Sequence, residues 1–257
     1  MPTFRVRELG SVGIVSDIAA WDLPPNAFSD GMNVRFSPEL GISRAPSFRT
    51  ALDFSAVRPD AIPVAVSGLP TNSATTDRLF VVDQGGSVYD WSSSETPVEM
   101  VMEGFTPLAS PGSPVLSRMY GNLLVHLPGG VPSYIRPDDS LVRHALAGWP
   151  SDLRAKSLKS FGDQIFAFNL TQGAALRPRS CRHSGFGNGE MPTSWDINDA
   201  EAGAGEIEFE HDDEILDGVQ LGQSLMVYSR GQCQEITRSG GLRLFATKLL
   251  PGYRGVW

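Results

Sequence analysis

Three stretches of this chain open alike. Tyr120-Gly121-Asn122-Leu123-Leu124-Val125, Phe161-Gly162-Asp163-Gln164-Ile165-Phe166 and Leu221-Gly222-Gln223-Ser224-Leu225-Met226 each set an apolar residue, a glycine and a polar residue ahead of an apolar run. The first two glycines lie 41 residues apart and the third 60 further on, while Arg78, which starts the run Arg78-Leu79-Phe80-Val81-Val82-Asp83, stands 43 before Gly121. Short runs rich in β-branched and aromatic residues predict strands. A glycine-bearing turn and a second strand follow: Gln84-Gly85-Gly86 leads into Val88-Tyr89-Asp90-Trp91, Pro128-Gly129-Gly130 into Ser133-Tyr134-Ile135, and Arg230-Gly231 into Gln234-Glu235-Ile236. A hairpin recurring every ~40 to 60 residues is the sequence signature of propeller blades. One blade cannot bury both its faces, whereas blades stacked around an axis cover one another. At least four blades are expected; a β-sandwich with evenly spaced strands is the rival, and a period near 40 favours the propeller.

The punctuation supports this. The 27 glycines and 19 prolines are spread along all 257 residues, which leaves long helices little room and makes the fold class all-β. A hydrophobic content of 41% provides for a large core. The net charge of −8 supplies no basic stripe to neutralise phosphates, so sequence-reading of DNA is disfavoured. Cys181 and Cys233 have no second pair, which points to buried thiols and away from a zinc site or a disulfide framework. His126, His144, His183 and His211 are scattered, and the chain has no Gly-x-Ser-x-Gly elbow, phosphate loop or His-Glu-x-x-His pair. No catalytic residue, metal or cofactor is therefore expected. Arg5 and Arg7 precede no apolar signal run, and no stretch approaches the ~20 residues of a membrane span.

Residues 1–55 read differently, as an extended arm ahead of a propeller-like domain over 56–257. Pro24 and Pro25 forbid a helix, Asp30-Gly31 is a turn pair, Asn33-Val34-Arg35-Phe36 alternates polar with apolar, and Pro38 to Gly41 turns the chain back toward Ile42. The run Leu23-Pro24 through Asn33-Val34-Arg35-Phe36, with Gly41-Ile42-Ser43-Arg44-Ala45-Pro46 after it, resembles the opening of the nozzle or hub proteins of short-tailed bacteriophages, also called tail tubular or stabilisation proteins. Ser194-Trp195-Asp196, the Gly203-Ala204-Gly205 loop and the Leu221–Tyr228 strand are similar to later steps of that family. A polar arm with few core residues needs a partner surface, so Asp30, Asn33, Arg35 and Arg44 are candidates for inter-subunit or adaptor contact. The chain breaks off at Trp257 on apolar and aromatic residues, unlike the end of a closed ring, so a short member or a fragment is expected.

Two charged segments stand out. In Glu206-Ile207-Glu208-Phe209-Glu210, period-two alternation puts Ile207 and Phe209 on one face and three carboxylates on the other. Calcium-loop spacing is missing. A solvated face and the lining of a channel, where like charge keeps a passing duplex from sticking, are the readings weighed. Arg177, Arg179 and Arg182 form a basic cluster that Pro178 keeps extended. They mark either a charge-protected edge strand or a docking contact, with Glu206 to Glu214 of the next protomer as the acidic partner. Trp195 is expected to pack between blades, Asp196 and Asp199 to form turns, and Gly185-Phe186-Gly187-Asn188-Gly189 to be a flexible loop tip.

The resemblance implies a structural virion protein and not an enzyme: a tail nozzle or hub subunit, assembled in the host cytoplasm and residing in the virion tail. It implies a homohexameric ring with tail adaptor proteins above and fibre or needle proteins attached, and DNA passing through without sequence-specific binding. Two alternatives are a propeller glycoside hydrolase using Asp163, Asp196 or Asp213, and a carbohydrate- or protein-binding propeller with Trp91, Trp149 and Tyr134 as platforms.

Overall fold

The computed structural model describes residues 62–70, 78–91, 97–103, 113–138, 141–199, 201–210, 213–239 and 244–251, together with the backbone of four short strands before them. Those four strands belong to a first unit, Met1–Ala51, and the remainder to a second, Leu52–Trp257. In the first unit β1 (Gly13–Ile14) pairs in parallel with β2 (Ala27–Phe28), and β3 (Val34–Ser37) pairs antiparallel with β4 (Gly41–Arg44). The hairpin expected around Pro38 to Gly41 is thus present. Asp30 and Asn33 lie outside the described residues; Arg35 stands on β3 and Arg44 on β4.

The second unit is all-β. Among its described residues are four consecutive sheets, each built around four antiparallel strands adjacent in sequence. Blade 1 holds β5 (Pro63–Leu69), β6 (Arg78–Asp83), β7 (Val88–Asp90) and β8 (Val98–Glu99). Blade 2 holds β10 (Val115–Met119), β11 (Asn122–His126), β12 (Ser133–Ile135) and β13 (Val142–Ala145), with β9 (Val101–Glu103) added in parallel outside β13. Blade 3 holds β14 (Leu153–Phe161), β15 (Gln164–Gln172), β16 (Ala175–His183) and β17 (Gly205–Glu208); blade 4 holds β18 (Ile215–Leu221), β19 (Ser224–Ser229), β20 (Cys233–Arg238) and β21 (Phe245–Leu249). This is a β-propeller-like arrangement, in which the outer strand of blade 1 runs through buried Met100 straight into the outermost strand of blade 2.

The repeated glycine motif has one structural meaning. Met119↔Asn122, Phe161↔Gln164 and Leu221↔Ser224 close two-residue hairpins between the first and second strands of blades 2, 3 and 4. Gly121, Gly162 and Gly222 sit at φ +77°, +58° and +60°, where the turn's twist matches the strands and a Cβ would be strained.

Strand alternation divides each blade between two neighbours. On β11, Leu123 and Val125 join Phe80, Val82 and Val88 of blade 1, whereas Leu124 joins Leu158, Ile165 and Ala167 of blade 3. On β15, Phe166 and Phe168 turn instead to Leu225, Val227 and Ile236 of blade 4. Central strands are therefore buried on both faces, and each fully buried apolar side chain contributes roughly 1.5–3 kcal/mol. Trp195 is 1% exposed in the interface of blades 2 and 3, its ring 4.7 Å from Trp149 at 74°, as a blade-packing aromatic should be. The first strands β10, β14 and β18 pack side by side. Polar rungs join them: Ser117 Oγ lies 3.0 Å from Ser160 Oγ, and Lys159 Nζ 3.1 Å from Asp217 Oδ2.

Candidate interaction cleft between blades 3 and 4

First strands converge and last strands diverge, and between β17 and β21 this opens a cleft of about 970 Å³. Its floor is aromatic. The Phe245 ring lies 5.0 Å from Phe166 and 4.9 Å from His183, both edge-on, so blades 3 and 4 meet through an offset ring cluster. Ile207 of β17 and Phe209 just after it supply one wall; Thr247 and Leu249 supply the other from β21. Antiparallel pairing puts Cys181 opposite Ile207 and His183 opposite Gly205, which fixes that face of β17 toward blade 4. Gly205 is required there: a Cβ would come within 2.7 Å of His183 Nε2. Desolvation holds the His183 pKa below the usual imidazole value. Its neighbour Gln164, fully buried, donates from Nε2 to the Ser184 oxygen at 2.6 Å and the Gly203 oxygen at 3.0 Å, tying the β16–β17 connection to the start of β15.

The other face of β17 carries the carboxylates. Register places Arg182 opposite Glu206 and Ser180 opposite Glu208. Arg182, 4% exposed, approaches Glu206 with Nη2 at 2.8 Å and Nε at 3.3 Å, and Arg177 caps the other oxygen of Glu206. Arg179 reaches Glu208 at 3.6 Å across an exposed edge. The alternation expected of this segment is present: Phe209 is buried while Glu208 and Glu210 are exposed. The acidic partner that the sequence reading offered in a neighbouring subunit is found here in the same chain, because β17 is bonded directly beside β16. The edge-strand alternative for the arginines does not describe β16, which is the third strand of four. β17 is the outermost strand of its blade, apart from the first strands that pack together.

Other expected residues are placed as follows. Asp196 Oδ1 accepts from Asn198 N at 2.9 Å, and Asp199 Oδ1 from the Glu201 and Ala202 amides at 3.1 Å, so both form turns. The Gly185–Gly189 segment is a packed turn, with Gly185 N bonded to Ser194 O and Gly187 N to Asp163 O. That differs from a free loop tip, and the reason is close approach: a Cβ at Gly187 would meet Tyr120 at 2.8 Å and Glu190 O at 2.2 Å. Asp163 pairs with Arg238 at 3.4 Å and Asp213 accepts from Gly231 N at 2.9 Å. Arg238 ends β20 and Gly231 lies two residues before its start, so the two carboxylates are held on the order of 20 Å apart, well beyond the ~5–9.5 Å of a glycosidase pair. Tyr134 and Trp149 are buried or half-buried against protein, which removes them as open platforms. The cleft itself is not legible in the sequence, because its walls come from segments 35 or more residues apart.

No protein-family model and no curated protein matches this chain. Among solved structures, it is similar to one described as YCF48 bound to D1 peptide, at 11% identity and a TM-score of 0.42, covering 82% of this chain and 58% of that one. It is also similar to the WD40 β-propeller domain of Doa1, at 11% identity and a TM-score of 0.31, covering 69% of this chain and 66% of that one. The chain thus spans less than two thirds of the length of either. Among the described residues no helix is long and apolar enough to cross a membrane.

Proposed function

We propose that this chain is a structural, protein-binding propeller without catalytic chemistry, and that it serves as a subunit of a short-tailed phage tail nozzle or hub. The observation that carries the protein-binding reading is the cleft with its open outer strands: it offers contact surface and backbone groups, with no convergent set of acid, base and nucleophile. The nozzle reading is supported by the arm pattern from Leu23 to Pro46 and the ordered Trp195 and Leu221–Tyr228 segments. In that setting six copies form a ring in the virion tail, assembled in the host cytoplasm, beneath adaptor proteins and bearing fibres or a needle. DNA crosses the ring without being read. The exposed carboxylates Glu208 and Glu210, with Glu206 behind them, would then face the conduit and repel phosphate. Arg35, Arg44, Arg177 and Arg179 would sit at subunit or adaptor contacts.

Light scattering on the purified chain, followed by electron microscopy, tests this. A ring with a central pore, or a subunit that assembles only with adaptor protein, is the expected result. A stable monomer that hydrolyses glycans would sink the reading.

A further inference from the structure

The four blades form an array with two ends, and at both ends the first strand is apolar on its outer side. At one end stands β5 of blade 1, whose register sets Ala65 opposite Val82 and Val66 opposite Val81. Ala65 and Val82 pack toward blade 2, so Val66 faces out of the array. It is 62% exposed, and Ile62 and Val64 ahead of it are exposed as well. At the other end stands β18 of blade 4. Gly218, opposite Val227, meets the Phe168 ring of blade 3, which turns Val219, opposite Met226, and Leu221, opposite Ser224, away from that blade. Leu221 is 68% exposed and Val219 is exposed beside it. Asp217 adjoins a bulge and reaches back to Lys159 on β14; no charge follows it on β18, and β5 carries none. The open surface at each end is a strip along the first strand, because Val81 and Met226 on the strands behind are buried.

These strips differ from the joints inside the array. There the first strands are linked by polar rungs: Arg118 Nη2 donates to Gly68 O of β5, Ser117 meets Ser160 between β10 and β14, and Lys159 meets Asp217 between β14 and β18. An end repeat that stays in water needs a polar outer face. Here, of the 13 large apolar residues exposed among the described residues, five lie on or beside β5 and β18, which concentrates apolar surface where a further blade would stack.

The array also defines what fits. Each of its joints brings the face that a blade turns to its successor against the face that the successor turns back. No described blade follows blade 4 and none precedes blade 1. The chain therefore carries both halves of one such joint at opposite ends, and the exposure of both strips shows that they do not meet within one copy.

We propose that copies of this chain associate head to tail, with Val219 and Leu221 of one copy packed on Ile62, Val64 and Val66 of the next. A contact between two different surfaces leaves one of each free in a pair, so further copies add until the ring closes. The inference rests on the ring-forming reading above and names the surface through which its subunits meet.

Sedimentation velocity over a dilution series of the full chain tests it, with Val66→Lys and Leu221→Lys at the two exposed sites. The unaltered chain is expected to assemble. Each substitution places a charge in an apolar contact and should weaken self-association at least tenfold, with an unchanged circular dichroism spectrum. Mixing is the sharper measurement. Val66→Lys keeps an intact β18 strip and Leu221→Lys an intact β5 strip, so an equimolar mixture should give a dimer of one copy of each and nothing larger. Val66→Ser and Leu221→Ser serve as the pair if a lysine variant fails to fold. Hydrogen exchange at 62–69 and 217–221 should slow on assembly of the unaltered chain. A monomer at high micromolar concentration, or assembly indifferent to both substitutions, overturns the proposal. Loss with only one substitution also overturns it, by showing like strips in contact, and a mixture that stays monomeric does so by showing a different occupant. A pored ring that persists in both variants removes this inference and leaves the nozzle reading; head-to-tail oligomers without a pore, sensitive to both substitutions, do the reverse.

Discussion

Glu206 and Glu208 are two rungs of one ladder, two residues apart on the same face of β17, and they live in different media. The Glu206 side chain is 12% exposed and held by two arginines, one of them itself buried; the Glu208 side chain is 61% exposed and 3.6 Å from an arginine that is 39% exposed. The same contrast holds for whole strands. β15 is buried on both faces from Gln164 to Leu170, whereas β21 is exposed after its first residue. Cover makes the difference: β15 lies in the middle of a blade with packed neighbours on both sides, whereas β21 is the outermost strand of the last described blade. Identical residue types thus carry stability at one position and remain available to a partner at the next.

The comparison breaks most visibly at the interior. Phe168→Ala removes a ring wedged against Gly218 and the blade 4 core, and a loss of about 3–5 kcal/mol is expected in urea unfolding. A loss below about 1 kcal/mol would mean that blades 3 and 4 are not packed as described.

Arg182→Ala should cost about 3 kcal/mol or more, since Glu206 would be left partly unpaired in a dry setting. The double-mutant cycle with Glu206→Gln is the sharper measurement: strong coupling is expected here, and coupling of the exposed Arg179–Glu208 pair should stay under about 1 kcal/mol. Equal coupling in the two cycles would erase the contrast between the rungs.

Acid probes the interior in another way. His126 is fully buried between blades 2 and 3, with Nε2 donating to Ala155 O at 3.0 Å and Nδ1 unpartnered. Desolvation first, and the Arg143 charge less strongly, lower its pKa from 6.5 to about 4. Above pH 6.5 both folded and unfolded states hold it neutral and the stability is fully present. As pH falls from 6.5 toward 4 the unfolded chain takes up a proton that the folded chain refuses. About 2–3 kcal/mol should disappear between pH 7 and pH 4.5. His126→Gln, which keeps a donor for Ala155, should flatten most of that slope, leaving the smaller contribution of His183 in the same direction. A slope unchanged by the substitution would assign the acid sensitivity elsewhere.

The smallest effect belongs to the rim. Leu249→Ser should change stability by no more than about 0.5 kcal/mol, because the residue is half in water already. A larger loss would show that the cleft wall is part of the folding core.

Much of this architecture is written locally. The glycine motif at residues 121, 162 and 222, the strands that follow it and the turn roles of Asp196 and Asp199 all depend on neighbours a few residues away, and pattern reading reaches that far. The alternation of Glu206, Glu208 and Glu210 with Ile207 and Phe209 was legible for the same reason.

What lies opposite each face was decided only in three dimensions. Period two says that a strand has two sides; it is silent about whether Phe166 meets blade 2 or blade 4, or whether Arg177 finds its carboxylate in its own chain. Those outcomes depend on packing between segments tens of residues apart, where burial turns one glutamate into a structural ion pair and leaves the next facing water.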